Sequence, residues 1–406
     1  MDCGLRLGSI ATAARVTWTA IFLMAMSGLG PLASAGQTES QKNKLRQRQN
    51  EKSIANKSSS ALEPISRQQR GVVQFGSGRN DSTQGVDPSG SASPLVALAD
   101  QGNLPQETAT ATQLSQFDAN AAFGYLADIC KIGPRPSASP GMKKQQKYIQ
   151  RHFEQIGGKY FHQEFTAKSP YDQRLVKLHN LLIRWHPERT KRLLICCHHD
   201  TRPFADADKR NPRSKFIGAN DGGSGVALLC ELGKHIASMD GEYGVDFMFF
   251  DGEEFVIVRQ RDPMFLGSTF FAQKYSEGKI PWKYEQAILV DMVADKDLQI
   301  HLEGNSLHFA KGLTEEVWAV AKELGINEFI PQQKQFIRDD HLPLNEIAKI
   351  PTCDIIDFDF PNPIKGNVFW HTREDKLENC SAESLGKVGS VVLAWIRKKQ
   401  QLSRGQ

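Results

Sequence analysis

The sequence predicts a three-layer α/β/α sandwich around a central mixed, mainly parallel sheet, and three observations carry that prediction. Apolar runs of strand length alternate with segments of helical periodicity from residue 117 to about residue 399. The central runs are apolar at consecutive positions rather than at every second one, as in strands covered on both faces. Acids and histidines recur just past the ends of these runs, at the carboxyl edge where open α/β sheets build their sites.

Taken in order, residues 117–131 and 141–156 have helical spacing. Between them lies Gly133-Pro134-Arg135-Pro136-Ser137-Ala138-Ser139-Pro140, whose prolines and glycine forbid a continuous helix. Residues 160–166 and 177–185 read as strands, the second closed by His186-Pro187. The run Leu193-Leu194-Ile195-Cys196-Cys197 reads as a central strand that delivers His198-His199-Asp200 to its end. A long polar loop then reaches Gly218-Ala219-Asn220-Asp221-Gly222-Gly223-Ser224-Gly225, and a helix is predicted over 226–239. Asp221 therefore stands at a helix entrance, where free N–H groups and the dipole favour an anion. Strands follow at 245–250, ending in Asp251-Gly252-Glu253-Glu254, and at 286–292, carrying Asp291. Helices are predicted from 267–275 and over 305–324, a strand over 352–358 and a closing helix over 381–399.

The 406-residue chain divides into four parts on composition. Residues 1–35 read as a signal peptide: Arg6 and Arg15 precede an apolar run from 16 to 32, and Ala33-Ser34-Ala35 is a small-x-small cleavage site. This implies a secreted or periplasmic enzyme, with a retained membrane anchor as the alternative. Residues 36–115 are rich in Gln, Ser, Gly and Asn and are read as a disordered linker, with Lys42-Asn43-Lys44-Leu45-Arg46-Gln47-Arg48 as a solvated charge run. Residues 116–400 form one catalytic domain and 401–406 a tail. A net charge of +4, with no basic stripe interleaved with aromatics, argues against a nucleic-acid partner. No stable membrane span is expected after processing, and the enzyme is read as a monomer. Cys130, Cys196, Cys197, Cys230, Cys353 and Cys380 form no CxxC pair, so they are core thiols or disulfides of an exported protein.

Two adjacent carboxylates at the end of a buried strand repel unless a cation or a shared proton separates their roles. Glu253 and Glu254 do not stand alone: His198, Asp221, Asp291, Asp339, Asp340 and His371 also lie just beyond apolar segments or at helix entrances. Carboxylate and imidazole donors without thiolate suit a catalytic zinc that keeps a position open. One Glu as ligand and one as proton carrier is the natural division.

Ala219-Asn220-Asp221-Gly222-Gly223-Ser224-Gly225-Val226-Ala227, Phe250-Asp251-Gly252-Glu253-Glu254, Gly267-Ser268 and Trp370-His371-Thr372 together resemble metallopeptidase family 28, the zinc family of bacterial aminopeptidases and animal-type glutaminyl cyclases. Residues 255–266 separate Glu-Glu from Gly-Ser, similar to the longer cyclase loop, and Asp339-Asp340-His341-Leu342-Pro343 looks like the cyclase Asp-Asp-His-x-Pro. The resemblance implies zinc on Asp221, Glu254 and His371, with Glu253 as proton shuttle. It also implies Asp291 and Asp339 as catalytic partners of Glu253, and Trp370 as a substrate wall. The implied reaction converts the N-terminal Gln of a peptide or protein to pyroglutamate with release of ammonia. The alternative is a di-zinc aminopeptidase in which His198 and Asp291 hold a second metal bridged by Asp221. A zinc-stabilised binding module without chemistry is a third reading. The chain departs from the cyclases in three places. The loop from Phe255 to Arg261 has no tryptophan, the Asp221 loop is closer to the aminopeptidase version, and the partner position of a Cys197 disulfide holds Val226.

Overall fold

The structure, a computed structural model, describes residues 116–402 apart from residue 363; the signal-peptide and linker readings fall outside the described residues. Six strands form the main sheet: β1 (Lys159–Lys168), β2 (Leu175–Trp185), β3 (Lys191–His198), β4 (Gly244–Phe250), β5 (Lys283–Asp291) and β8 (Thr352–Ile356). Their order is β1-β2-β4-β3-β5-β8. β1 and β2 are antiparallel to their neighbours, and β4, β3, β5 and β8 run parallel to one another. A parallel pair β6 (Ile300–Leu302) and β7 (Phe329–Gln333) stands apart.

The helices are α1 (Ala119–Ile132), α2 (Pro140–Gln155), α3 (Gly223–Gly233), α4 (Leu266–Ser276), α5 (Gly304–Glu323), α6 (His341–Glu346) and α7 (Ala382–Leu402). They cover both faces of the sheet. Successive side chains of a strand point to opposite faces. Leu193, Ile195 and Cys197 pack with α1, α2, α3, α5 and α7, while Leu194 and Cys196 pack with Phe271 of α4 and Leu344 of α6. This two-sided burial is why the runs are apolar without alternation, and it gives the three layers expected from the sequence.

One charged residue lies inside the apolar β4 run. Asp246 is fully buried and accepts hydrogen bonds from Arg184 Nε (3.1 Å), Arg192 Nε (3.0 Å) and Tyr284 Oη (2.6 Å), and Arg184 lies 3.7 Å from the Trp282 ring centroid. Two guanidiniums share this one carboxylate, so both depend on its charge. Asp246→Ala leaves both uncompensated and is expected to cost about 3–5 kcal/mol. Urea denaturation checks this, and an unshifted midpoint would show that water reaches the pair.

The helix expected over 226–239 ends at Gly233. Beyond it Lys234, His235 and Ile236 donate to carbonyls three residues back, so the chain continues as tight turns whose spacing is indistinguishable from a helix over one turn. β8 likewise stops at Ile356 rather than 358. The six described cysteines are free thiols, all buried except half-buried Cys130. Of the two readings left open by their number, the core-thiol one applies. Among the described residues no helix is long and apolar enough to cross a membrane.

Candidate active site

The carboxyl ends of β3, β4 and β5, the entrance of α3 and the segment before α7 converge on one cluster. Strand β3 supplies His198, β4 leads into Glu253 and Glu254, β5 supplies Asp291, and Asp221 precedes α3. His371 comes from the long connection between β8 and α7.

Its left-handed backbone (φ 57°), like that of Met292 beside Asp291 (φ 51°), is an uncommon conformation for a side-chain-bearing residue. Such residues persist where the surroundings over-determine them, commonly at functional sites. Gly222 (φ 83°) is required: a Cβ there would lie 2.6 Å from the Asp200 carbonyl oxygen and 2.9 Å from His198 Cε1. Only glycine lets the Asp221 turn approach β3 this closely.

Asp221, Glu254 and His371 bring one donor atom each within 4.8 Å of one another, as do His198, Asp221 and Asp291. His371 Nε2 lies 3.4 Å from Asp221 Oδ2 and 3.2 Å from Glu254 Oε1. His198 Nε2 lies 3.3 Å from Asp221 Oδ1 and 3.1 Å from Asp291 Oδ1. Asp221 thus faces both histidines, one with each oxygen.

Asp221 Oδ2, Glu254 Oε2 and His371 Nε2 are buried without a hydrogen-bond partner. Orphaned donors of opposite demand converging on one point fit a dication, and two carboxylates with one imidazole fit zinc. Burial disfavours the charged His371, but Glu254, Asp206 and Asp221 outweigh it and push its pKa up to about 10. A dication reverses this, since imidazole binds metal only as the neutral base.

Glu253 is buried, and burial followed by the Glu254 charge holds its carboxyl well above the usual range. Glu254 moves the other way: burial opposes ionisation, yet His371 and Arg202 keep it below the usual value. Neighbouring groups with divergent pKa values are the pattern of an acid/base paired with a ligand. Asp339 is pushed up to about 7, by burial first and then by Asp291. The Trp370 ring, half-buried, stacks on the His371 imidazole with centroids 3.6 Å apart. All the residues singled out in the sequence therefore meet in one place.

Four supporting residues were not among them. Asp200 accepts from the backbone N–H groups of Glu253 (3.2 Å) and Glu254 (3.0 Å) and lies 3.7 Å from His198 Nδ1, so it sets the Glu-Glu turn against β3. Asp375 accepts from the N–H groups of Asn220 (2.7 Å) and Asp221 (3.1 Å), tying the Asp221 turn to the segment bearing His371. Asp206 Oδ1 lies 3.1 Å from His371 Nδ1, and Arg202 grips Asp206 at 2.9 Å while reaching Glu254 Oε1 at 3.4 Å. Asp200 lies at a strand end and was legible by that rule. The others lie in irregular chain, where spacing carries no signal.

Asp206 orients the His371 ring and fixes which nitrogen carries the proton, as carboxylates behind metal histidines do. Asp206→Ala is expected to weaken zinc binding about 10- to 100-fold. Competition with a chromophoric chelator measures this, and an unchanged affinity would remove Asp206 from the site.

Residues 180–396 match Peptidase family M28. The chain belongs to this family. Within it, the solved structure of Fimbriiglobus ruber glutaminyl cyclase is 37% identical, covering 70% of this chain and 96% of that one, with a TM-score of 0.65. A leucine aminopeptidase precursor from Bacteroides thetaiotaomicron is 31% identical over 70% of this chain and 98% of that one, with a TM-score of 0.64. Glutaminyl-peptide cyclotransferase of Bos taurus is 22% identical over 64% of this chain and 77% of that protein. M28 membership accounts for the α/β architecture, and zinc-dependent exopeptidases of the same fold accord with the donor set found here.

Proposed function

We propose that this enzyme is a zinc-dependent glutaminyl-peptide cyclotransferase acting on the N-terminal Gln of peptides or proteins. The observation that carries the reading is what borders the Asp221–Glu254–His371 trio. Beside it are the buried Glu253, which burial and the Glu254 charge make a stronger base, and a half-buried indole, Trp370, stacked on His371. The loop between Glu254 and α4 lies over that indole, with the Arg259 guanidinium 5.4 Å from its centroid. A flat wall beside a proton carrier suits a substrate whose nucleophile and electrophile belong to one residue, since holding the near-cyclic conformer supplies much of the acceleration.

Asp221, Glu254 and His371 would hold zinc, which supplies Lewis acidity toward the γ-carboxamide oxygen. Glu253 takes a proton from the α-amine as its nitrogen forms the bond to the carboxamide carbon. It then returns that proton to the departing nitrogen as the C–N bond breaks, releasing ammonia. Asp291 and Asp339 surround this transfer with carboxyls and keep the proton within the cluster. The leader-like residues 1–35 support export of the enzyme, and the separate 36–115 segment supports a single catalytic domain after it.

The trio of His198, Asp221 and Asp291 favours a second reading, the two-metal aminopeptidase. Zinc-loaded protein is incubated with a Gln-initiated and a Leu-initiated peptide, and masses are followed. Loss of ammonia from the first alone is expected; loss of a whole residue from either, with two zinc ions per chain, would replace the cyclase reading with the peptidase.

A further inference from the structure

The active site is acidic inside and basic at its rim. Asp200, Asp251, Glu253, Asp291, Asp339 and Asp340 are all buried around the trio. The surrounding loops expose Lys209, Arg210, Arg213, Lys215, Arg259 and Arg338. The first four lie on the loop that folds against His371, through Ala207 N–H to the His371 carbonyl (3.1 Å) and the Phe216 ring 5.9 Å from the imidazole. Arg259 lies over Trp370, and Arg338 directly precedes Asp339 with its guanidinium 6.0 Å from the Phe265 ring centroid.

None of the six has a carboxylate partner among the described residues, because the acids of these loops are already engaged. Asp206 pairs with Arg202, Asp208 with Arg373 and Asp262 with Arg261. Elsewhere exposed lysines are commonly matched, as in Lys131–Asp128, Lys274–Glu277 and Lys398–Glu323. Unmatched exposed cations also lie on α2, at Lys143, Lys144, Lys147 and Arg151, but the six above are the ones carried by the loops that border the trio.

We propose that this rim selects peptides with Asp or Glu at the positions just after the N-terminal Gln; the proposal rests on the cyclase reading above. An extended peptide advances about 3.3–3.6 Å per residue, so the second to fourth side chains of a substrate whose first residue lies at the trio fall at rim distance. Arg259 and Arg338 present forked donors that match a carboxylate. The two zones also orient the chain: the α-amino end is drawn toward the buried acids while the following acids stay on the rim, so the peptide enters N-terminus first.

The test compares cyclisation of matched peptides beginning Gln-Glu-Glu, Gln-Ala-Ala and Gln-Lys-Lys by holoenzyme. Salt is set at about 0.01 M and about 1 M, where the Debye length falls from about 30 to about 3 Å. The acidic peptide is expected to exceed the alanine one about tenfold in kcat/KM at low salt, through KM, with the ratio near one at high salt. In the Arg259→Ala/Arg338→Ala double variant the ratio falls toward one at low salt. A wild-type ratio near one, or a preference that survives the double variant, overturns the proposal.

If no peptide is cyclised, the cyclase reading fails by itself. Fluorescence anisotropy of a labelled acetyl-Glu-Glu peptide, consumed by neither reaction, then decides the rim. Charge-selective binding lost in the double variant sustains it, and its absence overturns it. Competition by a single-stranded oligonucleotide as strong as that by the acidic peptide assigns the rim to polyanions in general and also overturns it.

Discussion

Glu253→Gln is expected to leave zinc content near that of the unaltered enzyme while lowering kcat by about 10²- to 10⁴-fold, the range for removing a general acid–base. The amide keeps the shape of the side chain but carries no exchangeable proton between amine and leaving group. Glu253 is also the member of the pair that burial and the Glu254 charge hold in the protonatable range. Its backbone N–H stays on Asp200, so the turn survives the substitution. Zinc content by mass spectrometry and single-turnover rates measure the two effects separately. Loss of zinc with Glu253→Gln would exchange the roles of the two glutamates.

The second large effect is expected at the neighbouring position. Glu254→Gln removes one of the two negative charges of the trio and faces Arg202, 3.4 Å away, with a neutral amide. A neutral amide is a poor partner for a dication, so zinc affinity should fall steeply and activity with it. Recovery of activity at high added zinc would locate the defect in metal binding rather than in chemistry. If Glu254→Gln retains stoichiometric zinc and full turnover, the trio is not the metal site.

The pair Glu253-Glu254 shows how much a sequence reveals and where it stops. Two carboxylates at the end of a buried strand are conspicuous because a core strand has no reason to end in repelling charges. The same argument picks out His198 and Asp291, which close β3 and β5. It does not reach Asp206, Arg202 or Asp375, since their roles depend on loops folding back onto remote chain, as Asp375 does onto Asn220, Asp206 onto His371 and Arg202 onto Glu254. Short elements escape for a related reason: β6 has three residues and α6 six, too few for a period to register.

The rim cations were visible as letters, but their lack of partners was not. Lys131 and Arg259 are equivalent in composition; one has Asp128 beside it and the other a tryptophan ring. Likewise Asp246 reads as a blemish in an apolar strand until Arg184, Arg192 and Tyr284 are placed around it.

By itself, the sequence determined the layered α/β architecture, the strand ends that carry the chemistry and the donor types that suit zinc. These follow from local periodicity and from the rule that buried strands end in charge only for a purpose. Tertiary structure alone decided that Asp221 faces both histidines at once, that Trp370 lies flat on the His371 ring and that the acids inside are met by unmatched cations outside. The first and last are relations between distant segments, set by how α3, β5 and the β8–α7 connection close on one another, and the second is a local conformation of two neighbouring residues; no spacing along the chain encodes them.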